Sequence, residues 1–391
     1  MKRLVLLGGG HAHLFVLEAF ARRPMEGVEL TMVTPVRLAP YSGMMPGVIA
    51  GHYEYDDACV DLEPLARACG CILRYTRCAS LDAARSRIKC EDGSIIDYDL
   101  LSIDTGSRPS TDGIPGVAEY AQTVKPIDHF VAELNAFCEG TDPDRPARVA
   151  MVGGGAAGVE VLLAIQHRLA LARGVPLSGK DRFCLVSDMS CLLPGFPAGA
   201  RRRMEHLLRT RGIEVRCGSP VAAIDAGTLV TRSGQRIAAD FIGWATGASA
   251  PAWPRESGLR VDERGFILVD TNLRSLSHTK VFAAGDVATI AEQPRPKSGV
   301  YAVRAGPPLA RSLRAALSGA ATASYAPQRR TLALISGGDR YAIGNWGPFS
   351  WEGRWVWKWK DSIDRAFIAR FTMPWAMNTP APTTIADSAP R

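Results

Sequence analysis

The residues with the clearest chemical potential in this sequence are glycines. In Leu4-Val-Leu-Leu-Gly-Gly-Gly-His-Ala-His13, four apolar residues run into Gly8 and Gly10, the first two places of G-x-G-x-x-G. The first glycine permits a tight turn, and the second lets a pyrophosphate approach the backbone. The helix that follows, expected from about His11 to Ala21, offers that phosphate free N–H groups and a positive dipole end. His13 stands in the third place, where glycine or alanine normally lets helix and strand pack closely. One such motif is weak evidence. Its echo, Arg148-Val-Ala-Met-Val-Gly-Gly-Gly-Ala-Ala-Gly-Val-Glu160, has Gly153, Gly155 and Gly158 all in place. Two strand–glycine–helix units in one chain imply two dinucleotides.

Other chemically capable residues cluster around these motifs. Glu160 directly follows the second one. It either orients a nicotinamide amide and relays a proton, or is an ordinary first-turn carboxylate favoured by the helix dipole. Val28–Val33 reads as the second strand, and Thr34 stands where such sites usually carry an acid for ribose hydroxyls. A hydroxyl is the alternative ribose contact there, and nearby Arg37 faces adenosine or pyrophosphate. The corresponding place in the second unit is Ser187 or Asp188. Arg201-Arg-Arg203 suggests either a 2′-phosphate pocket or a solvated helix face, which leaves NADH versus NADPH open. Asp286, after Gly285, suits either ribityl hydroxyls or a helix N-cap. His11 and His13 point apart at i, i+2, so no two-histidine metal face forms and no metal is expected. No Ser-His-Asp or Cys-His pair is evident. Hydride transfer between cofactors requires none, because stacking and distance control do that work.

These residues must be held by a larger scaffold. At 391 residues the chain is long enough for two or three domains. A net charge of +7 suits anionic ligands or an anionic membrane surface, and no Lys/Arg run is joined to a nucleic-acid-binding module. Nine cysteines without framework spacing fit a reducing cytosol. Leu38–Gly47 is expected to be a loop that covers a flavin ring. A helix is expected over Asp61–Cys71, then strands within 71–79, 85–90 and 95–98, then a buried strand ending in Thr105-Gly106. Further helices are expected over Ile127–Glu139 and Ala156–Arg173. Phe241–Gly247 repeats the Thr-Gly ending, and Val281–Asp286 reads as a strand, Gly-Asp and a helix. A small sheet is expected over 330–344. In 351–371, Val356, Trp359, Ile363, Phe367 and Phe371 fall at helical spacing beside Lys358, Arg365 and Arg370. Such a helix packs on its own core, on a second copy of the chain as a homodimer, or on a membrane interface. The tail after Pro374 is expected to be disordered.

The order of these five elements, glycine motif, Thr-Gly, glycine motif, Thr-Gly, Ala-Gly-Asp, resembles the two-dinucleotide-binding flavoproteins of the pyridine nucleotide-disulfide oxidoreductase superfamily. The likeness covers about residues 1–320. Within the superfamily the chain resembles type II NADH dehydrogenases and sulfide:quinone reductases. A nearer likeness is to the flavoprotein module sometimes fused ahead of selenide, water dikinase. That likeness is carried by Gly8–His13, Tyr41–Gly47, Arg295–Arg304 and the stretch from Gly353 to Arg365.

The resemblance implies an α/β fold with two Rossmann-like dinucleotide-binding domains (three-layer ββα), the second inserted in the first, plus a small C-terminal α+β region. On that reading residues 1–114 and 246–322 bind FAD, 115–245 bind NAD(P)H, and 323–391 form the C-terminal region. It also implies that His11 and Ala12 line the FAD pyrophosphate with Gly8 and Gly10. Ala79 would lie near adenine, and Thr105, Gly106 and Asp286 would complete the site. Gly247 would lie near the nicotinamide dinucleotide, and Lys297 and Gly299 by the isoalloxazine. Lys297 either stabilises negative charge on reduced flavin N1 or is a surface lysine in a proline-rich loop.

The expected activity is an FAD-dependent NAD(P)H oxidoreductase with a quinone-like acceptor, cytoplasmic or at the inner face of the cell membrane. The alternatives are flavin-dependent oxidation of a reduced sulfur or selenium compound, and an NAD(P)H-sensing flavoprotein that acts through partner binding. The sequence departs from the type II pattern at Gly299-Val300, where those enzymes carry Ala-Gln. It has no cysteine after Cys217 for a sulfide relay.

Overall fold

Lys2–Leu7 (β1) is apolar from Leu4 onward and almost wholly buried there, as a strand covered on both faces must be. It leads through the glycine loop into His11–Arg22 (α1), Val28–Thr34 (β2), Met45–Ile49 (α2), Leu62–Ala68 (α3), Ile72–Tyr75 (β3) and Leu100–Ile103 (β4). The chain then passes through Ile127–Gly140 (α4), Arg148–Val152 (β5), Ala156–Arg173 (α5), Arg182–Val186 (β6), Ala198–Thr210 (α6), Ile213–Arg216 (β7) and Phe241–Trp244 (β8). It returns through Val281–Ala283 (β9) and Gly299–Ser318 (α7). It ends in Ala333–Ser336 (β10), Ala342–Trp346 (β11), Phe349–Gly353 (β12) and Arg354–Ala376 (α8). This computed structural model describes residues 1–376 apart from 112, 143, 178 and 323, and no side chain from 373 onward. Most of the tail expected to be disordered therefore lies outside the described residues.

Two parallel sheets carry the molecule. The first has the order β9-β4-β1-β2-β3. The second runs Gln122–Thr123, then β8-β5-β6-β7. Each is accompanied by a three-stranded antiparallel meander, built from 78–97 in one case and 221–238 in the other. The first sheet is left after β4 and regained at β9. The outgoing Arg108–Pro109 and returning Ala248–Ser249 pair as antiparallel strands, so both crossings lie side by side. α1 packs along α7, where a Cβ on Gly306 would overlap the Phe15 ring.

Three local expectations need correction. Leu38–Gly47 is not loop throughout: Leu38–Pro40 pairs with Cys59–Asp61, and α2 takes in Pro46 and Gly47. Proline is compatible with the first turn of a helix, and the run from Met44 to Ile49 is buried against α5. After Gly285 there is one 3-10 turn, Gly285–Val287, and the long helix begins only at Gly299. Trp351–Gly353 belongs to β12, because pairing with β11 satisfies its backbone before α8 starts.

The apolar stripe on α8 divides. Val356 and Phe371 are fully buried, whereas Trp359 is 39% and Ile363 40% exposed. The inward face runs instead through Val356, Lys360, Asp364 and Phe371, a spacing of four, four and seven. Phe371 meets Phe15 edge-on at 5.0 Å, and Arg370 pairs with the buried Glu18 of α1 at 2.9 Å. α8 is thus part of the first core. Phe371→Ala is expected to destabilise the protein by about 3–5 kcal/mol, read as a lower urea midpoint; an unchanged midpoint would mark α8 as a detachable appendage.

Candidate functional site

The two glycine loops are built by the same contacts. Gly8 (φ +98°) lies against the backbone of Asp104-Thr105, and Gly153 (φ +128°) against that of Ala245-Thr246. A Cβ at either place would overlap a carbonyl oxygen, so only glycine serves. Gly9 is backed by the Thr34 hydroxyl and Gly154 by the Ser187 hydroxyl. Both hydroxyls also bond within their own turns, Thr34 with Val36 and Ser187 with the Met189 N–H. They lie against the loops, and both residues are almost wholly buried.

The third place differs between the units. Gly158 touches the Gly153 carbonyl directly, as a third glycine should. His13 replaces that contact with hydrogen bonds: its Nδ1–H donates to the Gly8 carbonyl at 2.6 Å, and Nε2 accepts from Ser102 Oγ at 2.8 Å. Burial pushes its imidazole down to about 4, so the ring is neutral. His13 is thus a fully buried packing residue.

The remaining predicted residues fall into place around the first loop. His11 starts α1, edge-on to Tyr41 at 5.4 Å, and its buried Nε2 has no hydrogen-bond partner among the described residues. Asp286 accepts from Ser107 Oγ at 3.3 Å and pairs with Lys125 at 3.7 Å. Gly106 and Gly247 open onto free space, and Gly299 at the start of α7 approaches only Ser42. Ala79 is exposed at the irregularity between Cys78 and Ser80. Arg37 is held by Asp61, the N-cap of α3, at 2.6 Å and by Glu63 at 3.6 Å. The Lys297 ammonium reaches the Ala288 carbonyl, Thr289 Oγ1 at 2.9 Å and the face of Phe266 at 4.0 Å. Burial pushes it down to about 8, against the pull of Asp262 and Asp286. These contacts hold the amine against Ala288, Thr289 and Phe266. In the second unit, Arg203 pairs with Glu352 at 2.5 Å and Arg201 donates to Cys191, so the arginine run does not converge on one anion.

Glu160 is the predicted residue with the most unusual surroundings. It is partly buried, and Oε1 accepts from the Ser336 N–H at 2.8 Å. Burial pushes the carboxyl up to about 7, against the pull of the Lys360 ammonium and the Ser336 N–H, while Asp364 adds to the rise. Lys360 itself donates to Asp364 and to the Gly43 carbonyl, both at 2.5 Å. Tyr41 stacks on Phe367 at 4.1 Å, near enough to Asp364 for the two groups to shift each other's titration. Glycine loop, Tyr41 segment, α5 and α8 therefore meet at one polar cluster.

Sequence reasoning missed Lys360 and Asp364. Their signal was available: a Lys–Asp pair at i, i+4 in register with Val356 and Phe371. It also overlooked the side chain of Asp104. That carboxylate accepts from the Ala12 N–H at 2.8 Å and lies against Gly10 and Gly285. All nine cysteines are free thiols. No group of three or more His, Cys, Asp or Glu suited to a metal occurs among the described residues.

The residues fit two dinucleotides on these observations. Open space beside Gly155, Gly106 and Gly247 leaves room for a ligand against bare backbone, and the orphaned His11 nitrogen offers it a polar contact. Comparison with known proteins agrees. The model of a family described as pyridine nucleotide-disulphide oxidoreductase matches residues 2–306. An NADH dehydrogenase-like protein of Mycobacterium tuberculosis is 29% identical over 295 residues, 74% of this chain and 73% of that protein. A type II NADH:quinone oxidoreductase of Staphylococcus haemolyticus is 23% identical over 343 residues, 83% of this chain and 85% of that one. The solved structure of NDH2 from Plasmodium falciparum in complex with NADH shares the fold, with a TM-score of 0.80 at 14% identity, covering 96% of this chain and 98% of that one.

A carboxyl that holds its proton more tightly folded than unfolded favours folding at low pH and loses that contribution as pH rises through its folded value. The Glu160 contribution to the urea midpoint should therefore fall between pH 5 and pH 8, set against the rise that the buried neutral His11 and His13 impose as pH climbs toward the ordinary histidine value. Glu160→Gln should make that fall smaller, and an identical pH profile in the variant would contradict the environment described for Glu160.

Proposed function

The chain belongs to the pyridine nucleotide-disulphide oxidoreductase family, and on that premise we propose that it is an FAD-dependent NAD(P)H oxidoreductase with a quinone or similar small acceptor. The observation that carries this reading is the pair of equivalent glycine cradles, with Glu160 of the second unit in electrostatic reach of Lys360 on α8, the helix whose Phe367 meets His11 of the first. Relatives named as NADH:quinone oxidoreductases support the acceptor class. FAD, when bound, supplies the two-electron relay between nicotinamide and acceptor.

The chain's own residues bind, orient and hold protons. The backbone of Gly8, Gly10, His11 and Ala12 would hold the FAD pyrophosphate, with Thr105, Gly106 and Asp286 along the rest of the molecule. Gly153, Gly155 and Gly158 would hold NAD(P)H, with Gly247 beside it. Tyr41, stacked on Phe367, excludes water from the junction. Glu160, within electrostatic reach of the Lys360 ammonium, would hold the proton that passes to the acceptor oxygen. A carboxyl poised near 7 both gives and takes a proton at working pH. The departure at Gly299-Val300 leaves this wall, rather than a glutamine on α7, to meet the acceptor.

The outward face of α8 and the adjoining turn suit a membrane interface. Trp346, Phe349, Trp355, Trp359 and Ile363 are exposed, with Arg202, Arg354 and Lys358 also at the surface. Aromatic and basic side chains together match the headgroup level of an anionic bilayer. No helix of the described residues is long and apolar enough to cross a membrane.

Anaerobic stopped-flow mixing with NADH or NADPH should bleach the flavin, and a soluble quinone should restore its colour. Failure of both nucleotides to bleach it would overturn the proposal. Trp355→Ser with Trp359→Ser should reduce sedimentation with anionic liposomes by about tenfold while leaving bleaching intact. Unchanged sedimentation, or a concentration-dependent mass lost in the variant, would assign the face to something other than lipid.

A further inference from the structure

The two cradles, equivalent in backbone, differ in one side chain. Asp104 and Ala245 occupy the same position, each pressing its carbonyl on the first glycine of its loop and each followed by Thr-Gly. Beside Gly155 a Cβ would meet nothing within 4 Å, and this is where a pyrophosphate approaches. Beside Gly10 the same space is filled by the Asp104 carboxyl. Its Oδ2 accepts from the Ala12 N–H at 2.8 Å and the His13 N–H at 3.4 Å, while Oδ1 lies on the Gly285 side. The second unit shows that the fold does not require an acid here.

Among the described residues no cation pairs with this carboxyl. From α1 it faces His11 and His13, both pushed down to about 4 by burial and so neutral. From the turn after β9 it faces Asp286, which carries the same sign. Lys125, the nearby ammonium, is paired with Asp286 at 3.7 Å. Burial pushes Asp104 itself up to about 7, opposed by the two backbone N–H groups. An ionised carboxylate at a helix N-terminus competes with a phosphate for the same amides and repels it. A neutral carboxyl does the opposite, because it carries an O–H that a phosphate oxygen can accept.

We propose that Asp104 binds the flavin dinucleotide's pyrophosphate as a protonated carboxyl, donating a hydrogen bond to it, so that capture of FAD takes up one proton. The proton moves from solvent to Asp104, and no bond to the cofactor forms or breaks. This inference rests on the reading that FAD fills the first cradle. It predicts a flavoprotein that releases its flavin as pH rises, a property that the second cradle, with Ala245, does not share.

The test is FAD dissociation from the purified full-length protein between pH 6 and pH 9, read by the return of flavin fluorescence on dilution. Wild-type affinity should weaken about tenfold per pH unit above roughly 7. Asp104→Asn keeps a neutral donor and should be nearly flat across the range, binding more tightly than wild type at pH 9. A wild-type slope in Asp104→Asn, or a flat profile in wild type, would overturn the inference. If the variant does not fold, calorimetric titration of wild type at pH 8 in two buffers of different ionisation enthalpy decides: uptake of about one proton per FAD supports it, and none refutes it. A chain that takes up no flavin at any pH would instead defeat the underlying cofactor reading, whereas tight, pH-independent binding defeats only the role of Asp104.

Discussion

The structure depends on a backbone carbonyl lying where a side chain would otherwise be. At the end of β4 the Asp104 carbonyl presses on the Cα of Gly8, and at the end of β8 the Ala245 carbonyl presses on that of Gly153. Each contact sets the spacing between the central strand and its neighbour at the point where the chain turns into a helix. Each helix N-terminus is thereby left facing the C-terminal edge of its sheet, and in the first unit the Ala12 and His13 amides are taken by Asp104. Everything that reads as a binding site follows from that placement, because a pyrophosphate needs bare backbone and unsatisfied N–H groups together.

A second dependence is less economical. α8 brings Lys360 and Asp364 into the protein, where their side chains are 12% and 7% exposed. Burying an ion pair rarely adds net stability, since desolvation offsets the attraction. The pair instead ties α8 to the Gly43 carbonyl and places an ammonium within electrostatic reach of Glu160. A helix held only by Val356 and Phe371 would have sufficed for packing. The charged pair is understandable as a device that couples the C-terminal region to the junction of the two cradles.

The duplicated architecture also separates requirement from choice. Where both units share a feature, such as Thr34 and Ser187 beneath the loops, the fold accounts for it. Where they differ, at His13 against Gly158 or Asp104 against Ala245, the difference belongs to what each unit holds. Arg37, Arg201 and Arg203 illustrate the converse. Their charge suggested ligand contacts, but Asp61, Cys191 and Glu352 hold them, and those partners lie far away in sequence or on another element.

The sequence by itself determined the two strand–glycine–helix units, the Thr-Gly endings and the limits of α1, α4 and α5, because these are local: glycine spacing, apolar periodicity and turn chemistry act within a dozen residues. α5 was legible to the residue for that reason. Tertiary structure alone decided that Leu38–Gly47 folds as strand and helix, that the α8 stripe rotates to bury Lys360 and Asp364, and that Asp104 fills the space beside Gly10. Each of these is settled by a surface contributed from another part of the chain. Neither hydrophobic period nor residue type states which surface that will be, so the chemistry of the junction emerged only when the elements were packed together.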